Sequence, residues 1–236
     1  MQSIQFTQES QEYIFKEDKS IHTFNQLIVD NIEFSYTDNN GSQGFNVGPI
    51  QLDIHAGEII FLVGGNGSGK STLLKLISGL YTLSKGKFRL NESDVDISDY
   101  RHFFSVVFSD CHLFEKPFGV PNISDKTVND WLQQMEITHV VKWENQQFKY
   151  SGLSTGQKKR LALITALLED RPILILDEWA AEQDPEFKRK FYEELLPMFK
   201  NDYKTVIVAT HDKKYYSVAD KIVHMQYGKI VEKGLY

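Results

Sequence analysis

Gly64-Gly65-Asn66-Gly67-Ser68-Gly69-Lys70-Ser71-Thr72, directly behind the apolar run Ile59-Ile60-Phe61-Leu62-Val63, decides how this chain is read. The segment fits G-x-x-x-x-G-K-[ST], a phosphate-cradling loop between a strand and a helix. Glycines let successive backbone N–H groups turn inward around phosphates, where a side chain would block the approach. Lys70 would reach the β and γ phosphates, and the Ser71 hydroxyl would ligate Mg²⁺. The run Thr72 to Ile77 reads as a helix whose positive N-terminal end faces the anion. Loop, charge and dipole together predict a site for a nucleoside triphosphate.

The chain has 236 residues, enough for a substantial core and better read as one large domain with subdomains than as two independent ones. Its formal charge of −6 argues against nucleic acid as the main partner, which would want a basic face. Cys111 is the single cysteine, so no internal disulfide can form and the chain fits a reducing compartment. No stretch approaches the ~20 apolar residues that span a bilayer, and the polar N-terminus carries no signal-peptide core, so the chain is expected to be soluble by itself.

Residues 1–26 show no clear periodicity and read as a linker or N-terminal arm. Leu27 to Tyr36 and Phe45 to Ile54 read as two strands, the second interrupted by Gly48-Pro49, with a turn cluster over 37–44 between them. They suggest a small β subdomain ahead of the phosphate loop. Gly86–Leu90 and Phe103–Phe108 read as further short strands, and Thr127–Met135 as a helix. Thr155–Leu168 reads as a strong helix with the stripe Leu161, Ile164, Thr165 and Leu168, ended by Arg171-Pro172. Ile173–Leu176 and Thr205–Thr210 read as buried strands of a parallel sheet, and Pro185–Lys200 as a helix capped by Asp184. Strands separated by helices predict an α/β core with its ligand at the carboxyl ends of the strands.

At one such end stand Asp177 and Glu178, where Asp177 would hold Mg²⁺ through water and Glu178 would polarise the attacking water. Leu153-Ser154-Thr155-Gly156-Gln157 lies just before the Thr155–Leu168 helix. On the residues alone it is either a second anion site at a helix N-terminus or a simple cap by Ser154. LSTGQ resembles the LSGGQ signature of the ATP-binding cassette (ABC) ATPases, and its place between the phosphate loop and the Asp177-Glu178 strand matches that family.

That resemblance covers roughly residues 27–234 and implies the fold: a P-loop ABC-ATPase, α/β, with a mostly parallel core sheet, an antiparallel β subdomain and a helical signature subdomain over about 110–170. It implies ATP and Mg²⁺ as the bound groups. Tyr36 matches the aromatic that stacks on adenine, Asp184 the aspartate that crosses the dimer interface, and His211 the switch histidine that touches the γ-phosphate. One slot departs from the pattern: where the family usually carries a glutamine that contacts Mg²⁺, Val106-Val107-Phe108-Ser109-Asp110 places Ser109. Phrases such as VFSDCHLF and LLEDRPILILDEWAAEQDPEF resemble the ATPase domains of bacterial cyclic-peptide exporters, a group that includes transporters of lasso-peptide microcins, lipopeptide toxins and pyoverdine-type siderophore precursors. The resemblance therefore implies a head-to-tail dimer with a second copy, a transmembrane exporter domain as partner, and a place at the cytoplasmic face of a bacterial inner membrane. It also implies an excised domain or a separately encoded subunit, with residues 1–26 as the former linker. The rival expectation is a soluble ABC ATPase uncoupled from transport; the long coiled-coil insertion of repair proteins and the tandem cassettes of ribosome-acting ones are absent from the sequence.

Overall fold

The computed structural model describes residues 24–37, 43–96, 100–117, 119–120 and 123–231. The expected N-terminal arm lies outside these residues except for 24–26, as does most of the turn cluster over 37–44. Six strands form the central sheet in the order β12-β11-β3-β10-β9-β6. These are β3 (Ile59–Val63), β6 (Phe104–Val107), β9 (Ile173–Asp177), β10 (Thr205–Ala209), β11 (Lys221–Gln226) and β12 (Lys229–Val231). All neighbours run parallel except β12, which turns back on β11. A second, antiparallel sheet takes β1 (Gln26–Thr37), β2 (Gln43–His55), β4 (Lys85–Leu90) and β5 (Ser93–Val95) in the order β2-β1-β4-β5. The expected α/β core and antiparallel subdomain are both present.

The central strands read as continuous apolar runs because both faces are covered. Ile59, Phe61 and Val63 of β3 enter one core with Leu174, Leu176, Val206 and Val208, while Ile60 and Leu62 enter the other with Ile173, Ile175, Ile207 and Ala209. The strand period of two thus sorts one apolar run onto two layers. The first layer is built by α2 (Asp125–Gln134), α3 (Thr155–Leu168) and the C-terminal helices; the second by α1 (Lys70–Ile77) and the antiparallel sheet.

Several expectations shift in detail. β2 runs unbroken through the expected interruption, with a cis Gly48-Pro49 bond inside it. β1 keeps Ile32 buried, but Asn31 takes a left-handed φ of 50 and the register slips between Val29 and Ile32, so the alternation restarts within the strand. The helix expected over Pro185–Lys200 is three joined pieces: α4 (Pro185–Lys190), a π-helical turn (Phe191–Leu195) and α5 (Leu196–Asn201). The stripe expected on α3 is replaced by burial nearly all round, Lys159 and Arg160 included. Between α2 and α3 lies a hairpin of β7 (Val141–Glu144) and β8 (Gln147–Tyr150) that the sequence reading left out.

Candidate functional site

The carboxyl ends of β3, β9 and β10 carry the expected chemistry to one place. The phosphate loop leaves β3, Asp177 closes β9 with Glu178 next, and His211 lies two residues beyond β10. Lys70, almost wholly buried, donates to the carbonyls of Gly64 (3.0 Å) and Gly65 (3.2 Å). Its Nζ lies 3.2 Å from His211 Nε2 and 3.6 Å from Glu178 Oε1, and His211 Nε2 lies 3.1 Å from that same carboxylate oxygen. Lys70, Glu178 and His211 therefore form one cluster beside the loop.

Beneath them Ser71 Oγ donates to Asp177 Oδ1 at 3.1 Å. Asp177 is buried, and desolvation raises its carboxyl above the ordinary range against the opposing pull of the Ser71 bond. A hydroxyl and a carboxylate oxygen brought together there are the oxygen donors a hard cation takes, and a bound cation would offset that desolvation.

Whether the loop fits a triphosphate is tested by what it leaves unsatisfied. Helix α1 starts at Gly69 (φ 104) with no side-chain cap, so its first-turn N–H groups face the loop. Ser68 Oγ is buried without a partner. A Cβ at Gly65 or Gly67 would meet nothing within 4 Å, so the cradle is open above those residues, and Asn66 between them is exposed. Gly64 is different: a Cβ there would collide with the carbonyl of Met225. The loop is thus open toward a ligand and closed toward the protein, and its residues fit both groups.

The floor it rests on was missed in the sequence. β11 lies beside β3, and the Tyr227-Gly228 turn after it donates from Gly228 N to Ser68 O (2.8 Å) while Gly228 O accepts from Gly48 N (2.7 Å). Gly228 at φ 77 would strike Asn46 O with any side chain, so this turn locks the loop to β2. A Tyr-Gly pair after an alternating run was the available signal.

Tyr36 stands at the edge of the site, 37% exposed, with its hydroxyl 3.1 Å from Thr72 Oγ1. It packs edge-on to Phe34 and Tyr81, which leaves part of its ring accessible. Ser109 lies in the turn after β6. Val107 pairs with Leu176, so continuing the register by two residues sets Ser109 level with Glu178 on the neighbouring strand. Its side chain is exposed, and no hydrogen bond joins it to Ser71 or Asp177 among the described residues.

The signature residues are organised separately. Ser154 Oγ accepts from Gln157 N (3.2 Å) and Ser154 N donates to Gln157 Oε1 (2.9 Å), a reciprocal capping box that starts α3. Ser154 and Thr155 are exposed, and none of the four residues 154–157 hydrogen-bonds to the phosphate loop among the described residues. Gly156 is the close approach here: a Cβ would come within 2.8 Å of Glu182 O. Gln183 Nε2 donates to Gly156 O (3.2 Å) and Gln183 Oε1 accepts from Arg160 Nε (2.8 Å). Arg160 also donates to Asp184 Oδ2 (2.6 Å) and Met135 O (3.3 Å), with its guanidinium 3.4 Å over the Phe187 ring. Asp184 caps α4 by accepting from Phe187 N (2.9 Å); that bond, with help from Arg160, holds its carboxyl below the ordinary range. Arg160 and Gln183 were not singled out in the sequence, because their partners lie more than twenty residues away.

The model of the family described as "ABC transporter" matches residues 47–181. The chain is 45% identical over 217 residues to "ATP-binding protein SyrD" of Pseudomonas syringae pv. syringae, a match over 89% of this chain and 38% of that protein. It is 33% identical over 226 residues to "ATP-dependent lipid A-core flippase" of Vibrio vulnificus (strain CMCP6), again 89% of this chain and 38% of the relative. It thus spans under two fifths of the curated relatives it matches. Among solved structures it superposes on cbiO1 from Clostridium perfringens, part of the ABC transporter complex cbiONQ, with a TM-score of 0.70 and 29% identity over 90% of this chain and 89% of the other. It shares its fold with a bacterial Atm1-family ABC exporter with ATP bound, with a TM-score of 0.74 and 21% identity over 90% of this chain and 39% of that one.

Proposed function

This chain belongs to the ABC transporter family, and from that premise we propose that it is the ATP-hydrolysing domain of an exporter, working as a head-to-tail pair. The observation that carries the proposal is the split between its two halves. Lys70, Glu178 and His211 converge on the phosphate loop, whereas Ser154 and Thr155 are exposed and, among the described residues, none of Ser154–Gln157 hydrogen-bonds to that loop. A site that needs both halves is completed by a second copy, each copy lending its signature to the other's loop. Residues 27–236 form the ATPase domain, with about 110–170 as its signature subdomain and 1–26 as a linker.

In this assignment backbone N–H groups of residues 65–72 and Lys70 hold the phosphates, and Tyr36 offers its ring to the adenine. Ser71 and Asp177 would hold Mg²⁺, which would supply charge neutralisation on the phosphates. Ser109, too short to replace glutamine's reach, would contribute its hydroxyl to the metal's surroundings through water. Glu178 accepts a proton from the attacking water, and His211 orients Glu178 and contacts the γ-phosphate. Asp184 reaches across the interface from the start of α4. The partner beyond the second copy is an exporter's transmembrane domain, at the cytoplasmic face of the inner membrane. The cleft lined by Phe108, Asp110, Cys111, Phe114, Thr165 and Glu169 beside Ser109 is where that domain would dock. Peptide-like cargo, a cyclic peptide or siderophore precursor, is the substrate class that the resemblance of VFSDCHLF and LLEDRPILILDEWAAEQDPEF to cyclic-peptide exporters supports.

The test is ATP hydrolysis and nucleotide binding by the unmodified chain and Lys70→Ala. Removing the cation that offsets the triphosphate charge lowers both by at least about 100-fold while the fold and melting temperature persist. Near wild-type turnover by Lys70→Ala contradicts the assignment of the loop.

A further inference from the structure

Lys159 is a buried charged side chain on α3 that the functional assignment does not use. A lysine in the first turns of a helix ordinarily faces water, yet this one is 1% exposed. Burying an ammonium is unfavourable unless it is paired and hydrogen-bonded, so its partners are informative. They are two. Its Nζ donates to the main-chain carbonyl of Glu178 (2.9 Å) and pairs with the Glu182 carboxylate (3.0 Å). The Lys159 carbonyl in turn accepts from Trp179 Nε1 (2.7 Å), the side chain immediately after Glu178 and itself fully buried.

Glu178 needs such support. Its φ of 49 lies in the left-handed region, uncommon for a residue with a long side chain. Its amide is held by Ala209 O (3.1 Å) from the neighbouring strand, and its carbonyl accepts from Lys159 Nζ (2.9 Å) and, less closely, from Ala181 N (3.3 Å). The carboxylate between these two anchors lies 3.1 Å from His211 Nε2 and 3.6 Å from Lys70 Nζ. Rotation of the Glu178 peptide would swing that carboxylate away from both.

We propose that Lys159 is a positioning residue for hydrolysis: from the signature helix, its buried ammonium fixes the left-handed backbone of Glu178 and so aims that carboxylate at the site. The proposal rests on the ATPase assignment above. It adds a hydrogen-bonded route by which the helix carrying Ser154–Gln157 is tied to the carboxylate that works in its own copy's phosphate site. Among the described residues Lys159 Nζ hydrogen-bonds to none of the phosphate-loop residues and not to Asp177, so its effect falls on turnover and leaves nucleotide affinity alone.

The experiment compares the 236-residue chain with Lys159→Met, which keeps length and loses the donor, and Lys159→Gln, which keeps an N–H donor without the charge. Three quantities are read: kcat for ATP, the Kd for ATP, and amide hydrogen exchange at Glu178 and Trp179 without nucleotide. Expected for Lys159→Met are a kcat at least about 10-fold lower, since small misplacements of a reacting group cost that much, a Kd within about twofold, and exchange at both amides about 10-fold faster. Lys159→Gln recovers part of the kcat loss. A kcat within about twofold of the unmodified chain, unchanged exchange, or equal losses in kcat and affinity overturns the positioning role. An unmodified chain that does not hydrolyse ATP sinks the ATPase assignment instead, and the exchange measurement still judges whether Lys159 holds the Glu178 backbone.

Discussion

The phosphate side and the signature side of this molecule are built on opposite principles. Around the phosphate loop some polar valence is left open: among the described residues Ser68 Oγ is buried and unpartnered and α1 has no side-chain cap, while Lys70 is held by its own loop's carbonyls. Around the signature, nearly everything is satisfied. Ser154 and Gln157 close a capping box, and Arg160 binds Gln183, Asp184 and Met135 while stacking on Phe187. A region with open polar valence is prepared for a ligand. A region whose bonds are complete is a rigid presenting surface. In the proposed pairing, one copy supplies a receptor and a separate, preformed lid, and the lid covers another copy's receptor.

Substitutions on the two sides should therefore fail differently. The larger effects fall on ligand dependence at the phosphate side. Ser71→Ala removes the proposed direct magnesium ligand and should raise the Mg²⁺ midpoint of ATP hydrolysis at least about 10-fold, the scale of metal-site lesions. Ser109→Ala should raise it only about threefold, because Ser109 is exposed and joined to neither Ser71 nor Asp177. Magnesium titrations of both variants check this, and equal shifts would erase the distinction between a direct and a water-mediated ligand.

On the signature side the losses should appear as stability. Arg160→Leu removes three charge-assisted hydrogen bonds and a stacked cation, a cost on the order of 3 kcal/mol in denaturant unfolding. Asp184→Ala removes an N-cap and should cost about 1 kcal/mol. That smaller effect has a pH signature. The Asp184 carboxyl titrates below its ordinary value in the folded protein, so it stabilises above the usual carboxylate range and the contribution is lost as pH falls through the folded value. The stability gap between Asp184→Ala and the unmodified chain should close under acid and be widest near neutrality; a gap that grew on acidification would reverse the assigned cause.

The same contrast explains what could be read from sequence. The phosphate loop was legible because glycine spacing is imposed by backbone approach to phosphate, a local constraint written in adjacent letters. The ends of α3 were legible because Ser154 caps it and Arg171-Pro172 follows it. The burial of Lys159 and Arg160 was not, since their partners Glu178, Gln183 and Asp184 come from a different element and only the fold brings them near. The π-helical turn over Phe191–Leu195 adds one residue per turn, which periodicity does not reveal, yet it helps set Tyr192 against Thr210 and Asp212 next to His211. The β7–β8 hairpin carried a readable cue, Asn145-Gln146 between two aromatic residues; both turn residues have positive φ.

The central claim, that each signature covers another copy's phosphate loop, is tested most directly by the assembly state of Glu178→Gln in Mg·ATP. The substitution keeps shape and loses the carboxylate proposed to accept the water's proton, so nucleotide should be held without turnover. Sedimentation should show a dimer with Mg·ATP and a monomer without nucleotide. A Glu178→Gln chain that stays monomeric at saturating Mg·ATP would contradict the account.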